Sequence, residues 1–198
     1  MKLAALDGGT YYHHHSLYGE RFGGFFDRTI YTRELGDTDL LQFDTLIVSC
    51  RTDPSVLVPH REKFADFLAS GRTLVAMGST GPHQWLSGIV WEDTPTNFWW
   101  WKVGETLGLQ CAAPEHALFR HITLADATWH YHGFFTPPAG AVSLVDVAGA
   151  GSILYEDMAT TPGRLIVTSL DPMYHHGSHF MPATTRFLDG FLPFLRAT

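Results

Sequence analysis

Lysine is scarce in this chain: Lys2, Lys63 and Lys102 are its only ammonium side chains, and no segment gathers cations into a stripe. Nucleic-acid binding needs clustered Lys and Arg to displace counterions. With a formal net charge of -7, that class of partner is excluded. Cysteine is rarer still. Cys50 and Cys111 lie far apart and form no CxxC pair, which excludes a disulfide scaffold or a structural zinc knuckle and makes a reducing, cytoplasmic compartment the expectation. Long apolar runs are missing too. The run before Asp7 is shorter than a secretory h-region, and no later segment has the length to span a bilayer. No membrane partner is expected, and no repeat, linker or low-complexity segment interrupts the chain.

What is present is histidine and aromatic. Twelve histidines stand out in 198 residues, beside Trp85, Trp91, Trp99, Trp100, Trp101 and Trp129. The length suits one domain over 1–198 with a sizeable core, and the pattern breaks up into an aromatic-rich insertion around 85–118, with an expected strand and a short helix near Lys102 to Leu107.

Leu3 to Leu6 reads as a first strand ending at the Asp7-Gly8-Gly9 turn, Thr29 to Leu35 as a second, Thr45 to Ser49 as a third and Thr73 to Met77 as a fourth. Between the last two, the spacing of Phe64, Phe67 and Leu68 predicts an amphipathic helix over Pro59 to Ala69. Strand, helix, strand and glycine turn is the order of a doubly wound α/β fold. Trp129 to Gly133 is expected to be extended, with His130 and His132 on one face. Ala141 to Val147 and Ser152 to Tyr155 read as strands of a hairpin, and Ala183 to Arg196 as a last helix distorted at Pro193.

Arg164 to Leu170, short and β-branched, reads as a buried strand that empties into a loop crowded with Asp171, Tyr174, His175, His176 and His179. Ligands of open α/β sheets bind outside the carboxyl ends of the strands, so this loop is the candidate site. The His-rich run Thr10 to Tyr18 lies on the same edge if its strand is parallel. The plain alternative is a set of ordinary loop histidines with hydrogen-bond partners.

The strand and helix order, the turn after Met77 and the histidine loop after the final strand resemble the class I glutamine amidotransferase-like superfamily, including its ThuA-like, trehalose-utilisation branch. The likeness is one of layout and covers most of the chain. It implies a flavodoxin-like three-layer α/β sandwich with a mainly parallel central sheet. In the family's glutaminases this turn carries glycine, any residue, a nucleophilic cysteine, and then a glycine, histidine and glutamine. Here Gly78-Ser79-Thr80-Gly81-Pro82-His83-Gln84 puts Thr80 where the cysteine would be and Pro82 where the second glycine would be. A threonine hydroxyl is a poor nucleophile without a positioned base, so glutaminase activity is not expected. The family's histidine and carboxylate follow the last strand; His175 or His176 falls there without a following Glu, and Asp171 is the only acid in the loop.

The candidate catalytic residues are therefore Thr80, His175, His176 and Asp171, and the candidate ligand-binding residues are Asp7, Tyr12, Ser79, His83, Cys50 and Trp100. Cys50 is either a nucleophile at the end of the third strand or a small buried hydrophobe. Trp99 to Trp101 form a core plug, a dimer contact or a sugar-stacking surface. Three functions stay open. One is a pocket for a small polar, carbohydrate-derived ligand with His or Asp as acid or base. A second is a metal-dependent hydrolase holding zinc or another divalent metal on His130, His132, His175 and His179. The third is a homo-oligomeric interaction module. A serine hydrolase is not expected, because Met77 and Gly81 flank Ser79 where a G-x-S-x-G elbow needs two glycines.

Overall fold

The computed structural model describes residues 1–178 and 181–197. Among them ten strands form one sheet: β1 (Leu3–Asp7), β2 (Arg28–Tyr31), β3 (Thr45–Val48), β4 (Thr73–Ala76), β5 (Val90–Asp93), β6 (Leu109–Cys111), β7 (Gly133–Thr136), β8 (Val142–Val147), β9 (Gly151–Asp157) and β10 (Arg164–Thr168). The helices are α1 (Tyr11–Tyr18), α2 (Pro54–Leu57), α3 (Arg61–Ala69), α4 (Trp100–Val103), α5 (Pro172–Gly177) and α6 (Pro182–Ala197).

Continuous apolar runs become parallel strands. β2, β1, β3, β4 and β10 lie side by side in that order, all parallel, with Leu6 beside Val48, Val48 beside Ala76 and Ala76 beside Val167. Alternate residues along each strand feed two cores. Leu3, Ala5, Ile47, Val75 and Ile166 pack under α6 through Phe187, Phe191 and Leu195. Ala4, Leu6, Leu46, Val48, Leu74 and Val167 pack under α3 through Phe64 and Phe67. Each fully buried Leu or Phe contributes about 1.5–3 kcal/mol. Helices thus cover both faces, as a parallel sheet requires.

The other half differs from the expectation of a mainly parallel sheet. β9 pairs antiparallel with β10, β7 and β8, β7 pairs antiparallel with β5, and β8 pairs antiparallel with β6. The insertion supplies β5 and β6, both too short and too exposed to carry a clear period. Four local corrections follow. The second strand stops at Tyr31 and a 3₁₀ turn covers Thr32–Glu34; the insertion's helix is α4, ahead of the expected 102–107; and the loop after β10 is largely α5, opened by Pro172 with its fixed φ. Trp129 to His132 is irregular, joining β7 only at Gly133.

Candidate functional site

Parallel pairing brings the carboxyl ends of β1, β3, β4 and β10 to one edge. Asp171, three residues beyond β10, is fully buried there. Its Oδ2 accepts from Arg51 Nε at 2.8 Å and lies 2.8 Å from Nη2 of the same guanidinium. Its Oδ1 accepts from Trp129 Nε1 at 3.2 Å and lies 3.2 Å from His175 Nε2, one helical turn along α5. Burial alone would raise this carboxyl's pKa, but the contacts with His175 and Arg51 outweigh it and hold the group below its ordinary value. Asp171 is therefore an anion at neutral pH.

Arg51 is held from two sides. Its guanidinium carbon lies 3.6 Å from the Tyr174 ring centre, a cation–π stack. Its backbone takes a left-handed φ of 60°, which costs a non-glycine residue of order 1–3 kcal/mol and is retained where surrounding structure fixes it. Arg51 and Trp129 were not in the sequence-based site. Their signal was position: Arg51 ends the third buried strand, and Trp129 precedes His130.

His130 completes the cluster. It is buried, its ring is edge-on to His175 at 4.9 Å, and its Nε2 has no hydrogen-bond partner. Burial pushes its pKa down to about 4, against the opposing pull of Asp171, so the imidazole is neutral at pH 7. The metal-binding atoms of His130, Asp171 and His175 all lie within 4.8 Å of one another. On its other side His130 lines a cavity of about 950 Å³ walled by Phe98, Trp99, Trp100, Trp101 and Trp129, with Arg186 at its rim. Trp99 and Trp101 are 60% and 63% exposed.

The remaining predicted residues are scattered. His132 lines a separate cavity of about 250 Å³ with Ser79 and His83, and its Nδ1 pairs with Thr96 Oγ1 at 2.9 Å. Thr80 is fully buried, with its hydroxyl donating to the Met77 carbonyl. His176 pairs with Thr185 of α6 through Nδ1 at 2.8 Å. Asp7 accepts from the Gly9 amide and the Tyr18 hydroxyl. Tyr12 packs edge-on against Tyr174. Cys50 is fully buried in the core; burial, with Asp171 nearby, pushes its thiol pKa up. Of the run His13 to His15, His13 is a core histidine: Nδ1 accepts from the Gly8 amide, so Nε2 carries the proton and donates to the Cys50 carbonyl at 2.7 Å. His179 lies outside the described residues.

Two solved structures share this fold over nearly the whole chain. The cytoplasmic protein STM1381 from Salmonella typhimurium LT2 has a TM-score of 0.60 at 12% identity, with 98% of each chain covered. A protein from Bacteroides uniformis ATCC 8492 described as ThuA-like has a TM-score of 0.55 at 11% identity, with 96% of this chain and 89% of its own covered. No family model and no curated protein matches. The likeness is one of fold alone. No described helix is long and apolar enough to cross a membrane.

Proposed function

We propose that the chain is a cytoplasmic, non-glutaminase relative of the amidotransferase-like proteins that binds and processes a small carbohydrate-derived ligand. The observation that carries this is His130: a buried, neutral imidazole with an unpartnered Nε2, set between an aromatic-walled cavity and an anionic Asp171. Indole faces stack on the apolar faces of sugar rings, and a cavity of this size holds one or two of them. A ligand hydroxyl reaching His130 can give its proton to Nε2. The imidazolium so formed is stabilised by the field of Asp171, while Arg51 and Trp129 keep that carboxylate oriented. Glutaminase chemistry is not part of the reading, since Cys50 is buried and the turn after β4 has no cysteine.

The clustering of His130, Asp171 and His175 favours one second reading, a divalent metal on those three donors. A zinc there would meet the Arg51 guanidinium already on the same carboxylate, and two cations on one carboxylate repel. Proton transfer is the better fit. Saturation-transfer NMR with a panel of mono- and disaccharides, alongside metal analysis of untagged protein, separates the two. Sugar signals lost in Trp100→Ala, with no stoichiometric metal, support the first. Stoichiometric zinc lost in both His130→Ala and His175→Ala establishes the second instead.

A further inference from the structure

The aromatic cavity is opposite in sign to the chain as a whole. The chain has 13 Lys and Arg against 20 Asp and Glu, yet among the described residues no carboxylate lines this cavity, while Arg186 does. A second cation stands beside its wall: Lys102 Nζ lies 5.4 Å from the ring centre of Trp99. Pro182 and Ala183, which open α6, line the cavity as well. In a helix of 16 residues that end carries the positive pole of the macrodipole. The same cavity holds His130, 5% exposed and with Nε2 unpartnered, which independently marks it as a place where a polar ligand is missing.

Arg186 is held in place without being used up. Its Nε donates to Asp126 Oδ1 at 2.8 Å, and neither of its Nη groups donates to a described residue. Oδ2 of the same carboxylate accepts from the Thr123 amide at 3.0 Å and the Thr123 hydroxyl at 2.8 Å. Partial burial alone would raise the Asp126 carboxyl, but the bonds from Arg186 and Thr123 outweigh it and hold the group below its ordinary value. Asp126 is therefore an anion at neutral pH and anchors the guanidinium by one nitrogen. The two Nη groups at its other end form a planar fork of N–H donors, which matches the two oxygens of a carboxylate.

We infer that the ligand of this cavity is an acidic sugar, a hexuronate whose carboxylate replaces the hydroxymethyl group of the neutral hexose, and that Arg186 is the residue that selects it. This rests on the carbohydrate reading of the cavity and narrows it. The apolar face of the ring lies on the indoles, and the carboxylate meets the Arg186 fork with the positive end of α6 beside it. A carboxylate fits better than a phosphate, because a guanidinium already shared with Asp126 has too little charge left for a dianion. Asp126 acts through Arg186 as a positioning residue.

The test is calorimetric titration of the full chain with matched pairs that differ only at this carbon, glucose against glucuronate and galactose against galacturonate, with glucose 6-phosphate as the competing anion. The expected result is that one uronate binds at least about tenfold tighter than its neutral partner, the gain of a charge-assisted pair. Arg186→Met should abolish that preference while leaving the affinity for the neutral hexose unchanged. The pair with Asp126 is exposed, with 54% of the Arg186 side chain accessible, so melting should barely move. Arg186→Lys keeps the charge without the fork and should keep only part of the preference. Uronate and hexose bound equally by the parent, an unchanged preference in Arg186→Met, or glucose 6-phosphate bound tighter than glucuronate overturns the inference and leaves the carbohydrate reading standing. A chain that binds none of these sugars overturns both.

Discussion

The central parallel strands and the two strands of the aromatic-rich insertion bury their residues differently. Every residue of β1 and β3 is buried, whereas β5 has no buried residue and β6 is at best half-covered. The parallel half is clamped between α3 and α6, and its edge holds the tightly partnered Asp171. The antiparallel half carries exposed Trp99 and Trp101 and a cavity open to solvent. The rigid half supplies a fixed charge and the looser half supplies an adaptable wall, with His130 at the junction. This division of labour suits a site that must orient a proton acceptor while admitting a ligand.

The largest blow to that arrangement is Asp171→Ala. It leaves the Arg51 guanidinium without its carboxylate partner in a part-buried site, and breaking such a pair costs about 3–5 kcal/mol; the urea midpoint should fall accordingly. A loss below about 1 kcal/mol would show that the network adds nothing to the rigid half. Next comes pH. His130 has a folded pKa of about 4, below its ordinary 6.5, so the unfolded chain binds the proton more readily. Its contribution to stability is complete above pH 6.5 and is lost progressively as pH falls to about 4. The loss is on the order of 3 kcal/mol, and His130→Phe should remove this part of the pH dependence. Asp171, whose folded pKa is depressed, acts lower still: its contribution holds above 3.8 and is lost as pH falls through the folded value.

Smaller effects sharpen the contrast. Gly78→Ala drives a methyl into the Ser169 carbonyl and should cost about 1–3 kcal/mol by overpacking the rigid edge. Trp99→Ala and Trp101→Ala, in the looser half, should change stability by no more than about 0.5 kcal/mol while weakening sugar binding. Sedimentation velocity on the same variants checks the competing use of the patch. A mass that rises with protein concentration and falls back in Trp101→Ala would assign these indoles to self-association.

The same contrast governs what was legible in the sequence. Leu46 to Val48 and Leu165 to Val167 are buried on both faces, so their unbroken apolar runs mark strands and order the parallel half. β5 and β6 are short and half-exposed, and no periodicity marks them or their antiparallel pairing. In the site, Asp171 and His175 were legible because they follow a strand's carboxyl end. Arg51 and Trp129 were not, because their role comes from contacts across 120 and 42 residues of chain. His13 shows the converse: its histidine-rich surroundings suggested chemistry, but its ring is fully used in bracing Gly8 against Cys50.

The most direct measurement is calorimetric titration of the intact chain with the disaccharide giving the strongest saturation-transfer signal, in the parent and in His130→Gln, between pH 5 and 8. Binding in the parent that weakens at least tenfold in His130→Gln, with the melting temperature preserved, is the predicted result. Equal affinity in the two proteins, or no heat with any sugar of the panel, would contradict the placing of His130 at the centre of a carbohydrate site.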